Sequence, residues 1–308
     1  MLEPITAIVI RRTKGFYYLR TIDGQEIECK AKGALFKNSR YDNQIAVGDQ
    51  VNIQMTENQE IGMITGICER KSFLSRVRVG IQAEQVIAAN VDLLFITISA
   101  KDPEPRPGLI WRMLVAANIG KVRPILVLTK LDLIHHNQHP AVLQPFENID
   151  LEILYSSKGG GKDDNRLADL VGENTSVFVG HSGVGKSSLI NRLFPGLELK
   201  VGAVNDKTNK GSHTTTYAQM IQVAESGFVI DTPGVREFGF WQLEKQNIRD
   251  YFPVIRQYSG HCKHSDCIHI HEPHCFVKNE VDAGRIHPEL YRGYVKLMEG
   301  EGGSRPVN

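Results

Sequence analysis

Short apolar runs separated by turn residues dominate the first 70 residues of the chain. Ile5-Thr-Ala-Ile-Val-Ile10, Phe16-Tyr-Tyr-Leu-Arg20 and Glu26-Ile-Glu-Cys-Lys30 read as strands, with Asp23-Gly24 a hairpin signal between the last two. Val51-Asn-Ile53 and Gly62-Met-Ile-Thr-Gly-Ile67 continue the series. Several short strands at this spacing predict a small β-barrel, for which the OB-fold is the natural form. The pattern then changes. Val91–Ile98, Pro124–Leu128, Leu151–Tyr155, Ser176–Val179 and Phe228–Ile230 are continuous apolar runs of buried-strand type. Helical stretches such as Ile110–Asn118 and Ser188–Leu193 fall between them, so a mostly parallel sheet is predicted. Beyond Trp241, Gln246–Phe252 and Pro288–Met298 read as helices; Leu290, Tyr291, Tyr294, Leu297 and Met298 would form a core stripe on the second.

The chemistry sits at the ends of the predicted strands. Gly180-His-Ser-Gly-Val-Gly-Lys-Ser-Ser188 matches the phosphate-loop pattern, placed between a strand and a helix as that motif requires. Its backbone N–H groups, from Gly180 through His181, Ser182, Gly183, Val184 and Gly185 to Ser188, would cradle phosphate oxygens. Lys186 would neutralise the β and γ phosphates, and Ser187 would hold Mg²⁺. Asp231-Thr-Pro-Gly234 closes the Phe228–Ile230 strand. Asp231 would be the second Mg²⁺ anchor, and the Gly234 N–H a γ-phosphate sensor. Between the two lies Gly211-Ser-His-Thr-Thr-Thr216. Thr215 is the favoured magnesium and γ-phosphate ligand, with Thr214 and Thr216 close rivals.

A base-reading element precedes these motifs. The Pro124–Leu128 strand runs into Thr129-Lys130-Leu131-Asp132. A buried Asp132 carboxylate would accept from guanine N1 and N2, and adenine, lacking that donor pair, would be rejected. The Lys130 stem would cover the base, and Ser156-Ser157 would form the loop near guanine O6. Base motif, base loop, phosphate loop, threonine loop and Asp-Thr-Pro-Gly therefore occur in circularly permuted order. Permutation is tolerable because domain termini tend to lie close together at the surface. Val235, after Gly234, cannot polarise water as a glutamine there would, so slow hydrolysis in isolation is expected. His213 is either an ordinary loop histidine or the internal group that orients the water.

Cys262, Cys267, His269 and Cys275 give C-x4-C-x-H-x5-C, a closed tetrahedral donor set suited to one structural Zn²⁺. His271 is the alternative to His269. Cys29 and Cys68 lack such partners and read as reduced thiols.

The permuted order, GHSGVGKSSLINRL, the HTTT loop, DTPGVREFGFW and the cysteine cluster together resemble the ribosome small subunit-dependent GTPase A family (RsgA, the YjeQ/YloQ proteins) over nearly the whole chain. The resemblance implies a multidomain α/β protein: an OB-fold barrel binding RNA (1–69), a linker (70–85), a circularly permuted P-loop GTPase domain (86–240), and a zinc-binding helical domain with a flexible tail (241–308). It implies a Mg-dependent GTPase that docks on the small ribosomal subunit and its rRNA late in assembly, is activated there, and leaves with GDP and phosphate formed. Two departures stand out: Thr129 occupies a place usually held by Asn, and Ser212 one often held by Arg. An RNA-binding scaffold that holds GTP and scarcely turns over is the alternative; an ATP-driven RNA remodeller is a third reading.

Composition narrows these expectations. The chain has 36 basic and 35 acidic residues among 308, so nucleic-acid contact should be local. Arg11, Arg12, Lys14, Arg20, Lys30, Lys32, Lys37 and Arg40 surround Phe16, Tyr17, Tyr18 and Tyr41, a mixture that suits either RNA contact or a solvated barrel surface. No apolar run approaches the roughly 20 residues that span a bilayer, and Met-Leu-Glu-Pro is no secretory signal. A cytoplasmic monomer without membrane contact is expected.

Overall fold

A computed structural model describes residues 5–33, 41–43, 45–55, 61–77, 84–135, 140–197, 218–231 and 245–300. The first region is a closed barrel. Strands β1 (Ile5–Arg12), β2 (Tyr17–Thr21), β3 (Glu26–Ala31), β5 (Gln50–Met55) and β6 (Gly62–Ile67) run in the order β1-β2-β3-β6-β5, and β5 pairs back with β1. The β3–β6 pair is parallel and the others antiparallel. Alternation puts Ala7, Val9, Tyr17, Leu19, Cys29, Val51, Ile53 and Ile64 inside. Tyr17 is thus a core residue, not a free stacking surface. Gly62 is required by close approach, since a Cβ there would lie 2.5 Å from Cys29 Sγ. At the barrel's exit, Arg70 grips the buried Asp49 with two hydrogen bonds of 2.7 and 2.8 Å. That pairing satisfies a charge that would otherwise be costly to bury.

The stretch 70–85, expected as a linker, contains β7 (Phe73–Val77) and the start of β8 (Glu84–Ala89). These pair antiparallel, and β4 (Tyr41–Asn43) adds parallel to β8. Phe73 and Ala89 pack with Ala46 and Val86 in a small core of their own, which holds the hairpin in place.

The central sheet follows the order β11-β10-β9-β12-β14-β13. Its strands are β9 (Leu93–Ser99), β10 (Arg123–Thr129), β11 (Glu152–Tyr155), β12 (Thr175–Val179), β13 (Gln219–Gln222) and β14 (Phe228–Asp231). The first five in that order are parallel; β13 runs antiparallel at the edge. β9 is buried along its whole length. Leu94, Ile96 and Ile98 face one core, Leu93 and Phe95 the other, as a doubly covered strand requires. Helices α1 (Pro107–Ile119), α2 (Asp164–Glu173) and α3 (Lys186–Leu193) cover it. The outer edge of β13 meets the barrel at Arg11↔Gln219, and Arg20 donates to Gln222 Oε1 at 2.8 Å.

Among the described residues four helices follow: α4 (Lys245–Tyr251), α5 (Pro253–Ser259), α6 (Phe276–Asp282) and α7 (Pro288–Met298). Leu290, Tyr294, Leu297 and Met298 are buried in one continuous core with Trp111 and Leu114 of α1. Gly293 lies so close to the Trp111 ring that a Cβ would come within 2.4 Å. Asn118 also donates to the Tyr251 carbonyl at 2.9 Å. Among the described residues no helix is long and apolar enough to cross a membrane.

Candidate functional site

Strands β11, β10, β9, β12 and β14 are parallel neighbours, so their C-terminal ends share one edge of the sheet. Loops at that edge are where open α/β sheets bind ligands. Thr129–Asp132 leaves β10 there, Ser156-Ser157 leaves β11, Gly180–Ser188 leaves β12, and Asp231 ends β14. The register Thr175↔Phe228 keeps β12 and β14 level, which brings Asp231 to the side of the phosphate loop.

The phosphate loop is held open by glycines. Gly180 has φ of 154°, and a Cβ there would lie 2.2 Å from the Thr97 carbonyl oxygen. Gly185 (φ 97°) caps α3 in the left-handed region, from which the helix starts at Lys186. Lys186 Nζ donates to the carbonyls of Gly180 (2.6 Å) and His181 (2.9 Å), closing the loop on itself. Ser182, Gly183 and Ser188 are exposed, Val184 is buried, and Ser187 is half-buried at the helix start. Burial lowers the His181 pKa, and the nearby positive charges of Arg106, Lys186 and Arg112 lower it further. Burial and these charges favour the neutral imidazole, and the charges favour an anionic ligand at the loop.

The base motif is tied to this loop. The Thr129 hydroxyl is buried and lies 2.6 Å from the Val184 carbonyl, to which it donates, and 3.1 Å from that of Ile98. Threonine in this place therefore spans base motif and phosphate loop directly. Lys130 takes a left-handed φ of 58° and donates to the Asp102 carbonyl. Leu131 N–H points at the Ser156 carbonyl, 3.4 Å away. The expectation of a buried Asp132 needs correction: its carboxylate is exposed. One oxygen accepts the Lys158 N–H at 2.9 Å. The turn sits at the open rim of the sheet, where the fold leaves the carboxylate open to solvent. Ser156 is buried, with its hydroxyl against Arg192 and Asp164; Ser157 Oγ donates to the Gly160 carbonyl at 2.6 Å.

Sequence reasoning overlooked Lys158, Asp163, Asp164 and Arg192. Asp163 accepts the Tyr155 N–H at 2.8 Å, and Asp164 the Gly161 N–H at 2.8 Å, so the two carboxylates fold the base loop. Paired acids at the start of a helix were the available signal. His213, Thr214, Thr215, Thr216, Gly234 and Val235 lie outside the described residues.

The second cluster begins 31 residues beyond Asp231. The ligand atoms of Cys262, Cys267, His269 and Cys275 all lie within 4.8 Å of one another; His271 is not part of the group. Sγ–Sγ separations are 3.9 and 3.8 Å, and His269 Nδ1 is 3.4 Å from two sulfurs. A tetrahedron built on zinc bond lengths has edges of about 3.8 Å between sulfurs and about 3.6 Å from sulfur to nitrogen, so the four residues fit such an ion. Burial pushes the Cys267 thiol up to about 12 and the Cys275 thiol also upward. Without a cation burial would therefore favour the thiol form of these two residues. Helix α7 braces the loop: Tyr291 and Tyr294 donate to the carbonyls of His269 (2.8 Å) and Ile268 (2.7 Å). Glu272 accepts the Ile268 and Ile270 N–H groups at 2.7 and 3.0 Å.

A glycine phosphate loop, a Thr-Lys-Leu-Asp turn ahead of it in the chain, and an aspartate at the neighbouring strand end define a circularly permuted GTPase domain. The comparisons agree. Residues 67–241 match the RsgA GTPase family and 6–64 the RsgA N-terminal domain. A relative from Bacteroides thetaiotaomicron, small ribosomal subunit biogenesis GTPase RsgA 2, is 37% identical over 300 residues, covering 95% of this chain and 96% of that protein. The crystal structure of YjeQ from Thermotoga maritima superposes with a TM-score of 0.75 at 28% identity, over 98% of this chain and 100% of that one. YloQ, described as a circularly permuted GTPase, gives 0.73 at 28% identity, over 99% and 98%. The chain belongs to the RsgA GTPase family and is a GTP hydrolase.

Proposed function

We propose that this GTPase serves late maturation of the small ribosomal subunit in the cytoplasm, binding as a monomer, hydrolysing GTP when the subunit activates it, and then dissociating. The observation that carries the nucleotide chemistry is the convergence of base motif, base loop, phosphate loop and Asp231 on one sheet edge. The subunit as partner is supported by the name of the Bacteroides relative.

In this reading Asp132 accepts from guanine N1 and N2, the Lys130 stem with Thr129 and Leu131 walls the base, and the Ser156-Ser157 loop meets O6. The N–H groups from Gly180 to Ser188 cradle the phosphates, and Lys186 leaves its two carbonyl partners for the β and γ oxygens. Magnesium, when bound with GTP, offsets charge developing on the phosphates; Ser187, Asp231 and Thr215, or one of its neighbours Thr214 and Thr216, would hold it. The Gly234 N–H senses the γ-phosphate, and His213 orients the attacking water. Cys262, Cys267, His269 and Cys275 hold one structural Zn²⁺, with every position filled by protein.

The barrel (1–69) and the zinc region (241–308) would meet rRNA, flanking the GTPase region (86–240). Support comes from charge stacked on aromatic rings at the barrel surface: Arg11 lies 3.9 Å from the Tyr18 ring centre and Lys30 5.0 Å from that of Phe16. The test is phosphate release from each nucleoside triphosphate, with and without purified small subunits. GTP-specific release that rises with subunits is expected. GTP binding without stimulation would favour the scaffold reading.

A further inference from the structure

Arg192 is near the end of α3, the helix that begins at the phosphate-loop lysine. On a helix with two buried residues it reads as a solvated side chain. Its guanidinium instead forks onto Asp164: Nη1 bonds Oδ2, and Nη2 lies 3.2 Å from Oδ1. Nη2 also donates to Ser156 Oγ at 2.6 Å. Asp164 opens α2 and accepts the Gly161 N–H at the far end of the base loop. Burial opposes its ionisation, but the hydrogen bonds from Arg192 and Gly161 outweigh that and hold its carboxyl below the ordinary range.

Ser156 carries the connection onward. It is 2% exposed. Its N–H donates to the Leu128 carbonyl at 2.9 Å, and its carbonyl accepts from Leu131, next to Asp132. Two residues along, the Lys158 N–H reaches Asp132 itself. A bonded path therefore runs from the phosphate helix through Arg192 and Ser156 to the turn that carries the base-reading carboxylate.

Resting on the assignment of Asp132 to guanine, we propose that Arg192 is a positioning residue for base recognition. It fixes the base loop relative to the phosphate helix, so that the carboxylate stands at the distance a guanine nucleotide requires. The planar fork sets two nitrogens against the two carboxylate oxygens while Nη2 also meets the hydroxyl; a lysine ammonium carries its three donors on one nitrogen and cannot reproduce that spacing.

The full-length chain carrying Arg192→Ala, Arg192→Lys or Ser156→Ala tests this by equilibrium binding of GDP and ADP, steady-state GTP hydrolysis, and melting without nucleotide. Arg192→Ala should weaken GDP about 10-fold while ADP changes less than about twofold, a scale set by loss of one charge-assisted hydrogen-bond network. The GDP-to-ADP preference therefore shrinks, KM rises, and kcat holds. Arg192→Lys should recover little of the preference, and Ser156→Ala should lose about threefold in the same direction. An unchanged GDP-to-ADP ratio in Arg192→Ala and Ser156→Ala, or equal losses for both nucleotides, overturns the proposal. If Arg192→Ala melts below the assay temperature, Ser156→Ala decides, since it removes one hydroxyl. A wild-type chain with no preference for GDP would instead overturn the reading of Asp132.

Discussion

The proposed nucleotide site draws its described residues from segments spread between Thr129 and Asp231, whereas the cysteine cluster takes all four donor residues from Cys262–Cys275. The first is assembled on the edge of a sheet whose cores lie on both faces. Its loops are already bonded, Thr129 to Val184 and Lys158 to Asp132 between loops, and Lys186 to Gly180 within one. The second has almost no core of its own. From Cys262 to Cys275 the buried residues are Cys267, His269 and Cys275, all members of the cluster, and Ile268 beside them is exposed. One set of loops is bonded together without a ligand; the other, in the proposed reading, would draw much of its folding free energy from the ion.

Metal removal should break this contrast most sharply. Chelation, or Cys275→Ser, should cost roughly 3–5 kcal/mol and lower the melting temperature by about 10 °C. GDP affinity should stay within about threefold, because the hydrogen bonds that brace the cluster run to α7 and Glu272 and distant sites act nearly independently. Joint collapse of both would show that the two sites are one cooperative unit. Next in size, Asp132→Asn should weaken guanine nucleotides about 100-fold and favour xanthine nucleotides, whose C2 carbonyl accepts from the new amide. Competition binding reads the switch directly. Gly293→Ala would drive a methyl into the Trp111 ring and cost about 1–3 kcal/mol by thermal melting, with GDP binding unchanged. The smallest effect is expected for Thr129→Val, which leaves the Val184 carbonyl without its hydroxyl donor. About 1 kcal/mol, or roughly fivefold in GDP affinity, should be lost.

The barrel, the parallel sheet and the permuted order were legible because each rests on local signals. Apolar runs of strand length, an Asp-Gly turn and a Gly-Lys-Ser helix start carry their meaning without distant partners. Other features depend on distant partners and left little local trace. Gln219–Gln222 is only half-buried, and becomes a strand because β14 pairs with one side of it and β1 with the other. Phe73–Val77 resembles a linker until β8 and then β4 pair beside it. The exposure of Asp132 and the reach of Arg192 are tertiary facts: a carboxylate in a turn and an arginine on a helix have the same sequence whether solvated or committed. Tyr17 and Tyr18 make the same point, since strand alternation buries one and leaves the other beside Arg11.

A crystal structure of the chain with magnesium and a non-hydrolysable GTP analogue addresses the central claim most directly. The guanine ring should lie against the Lys130 stem with N1 and N2 on the Asp132 carboxylate, the phosphates within the Gly180–Ser188 loop, and Lys186 Nζ moved from the Gly180 and His181 carbonyls onto phosphate oxygens. A purine ring bound away from the Thr129–Asp132 turn, with the phosphates still in the loop, would contradict it.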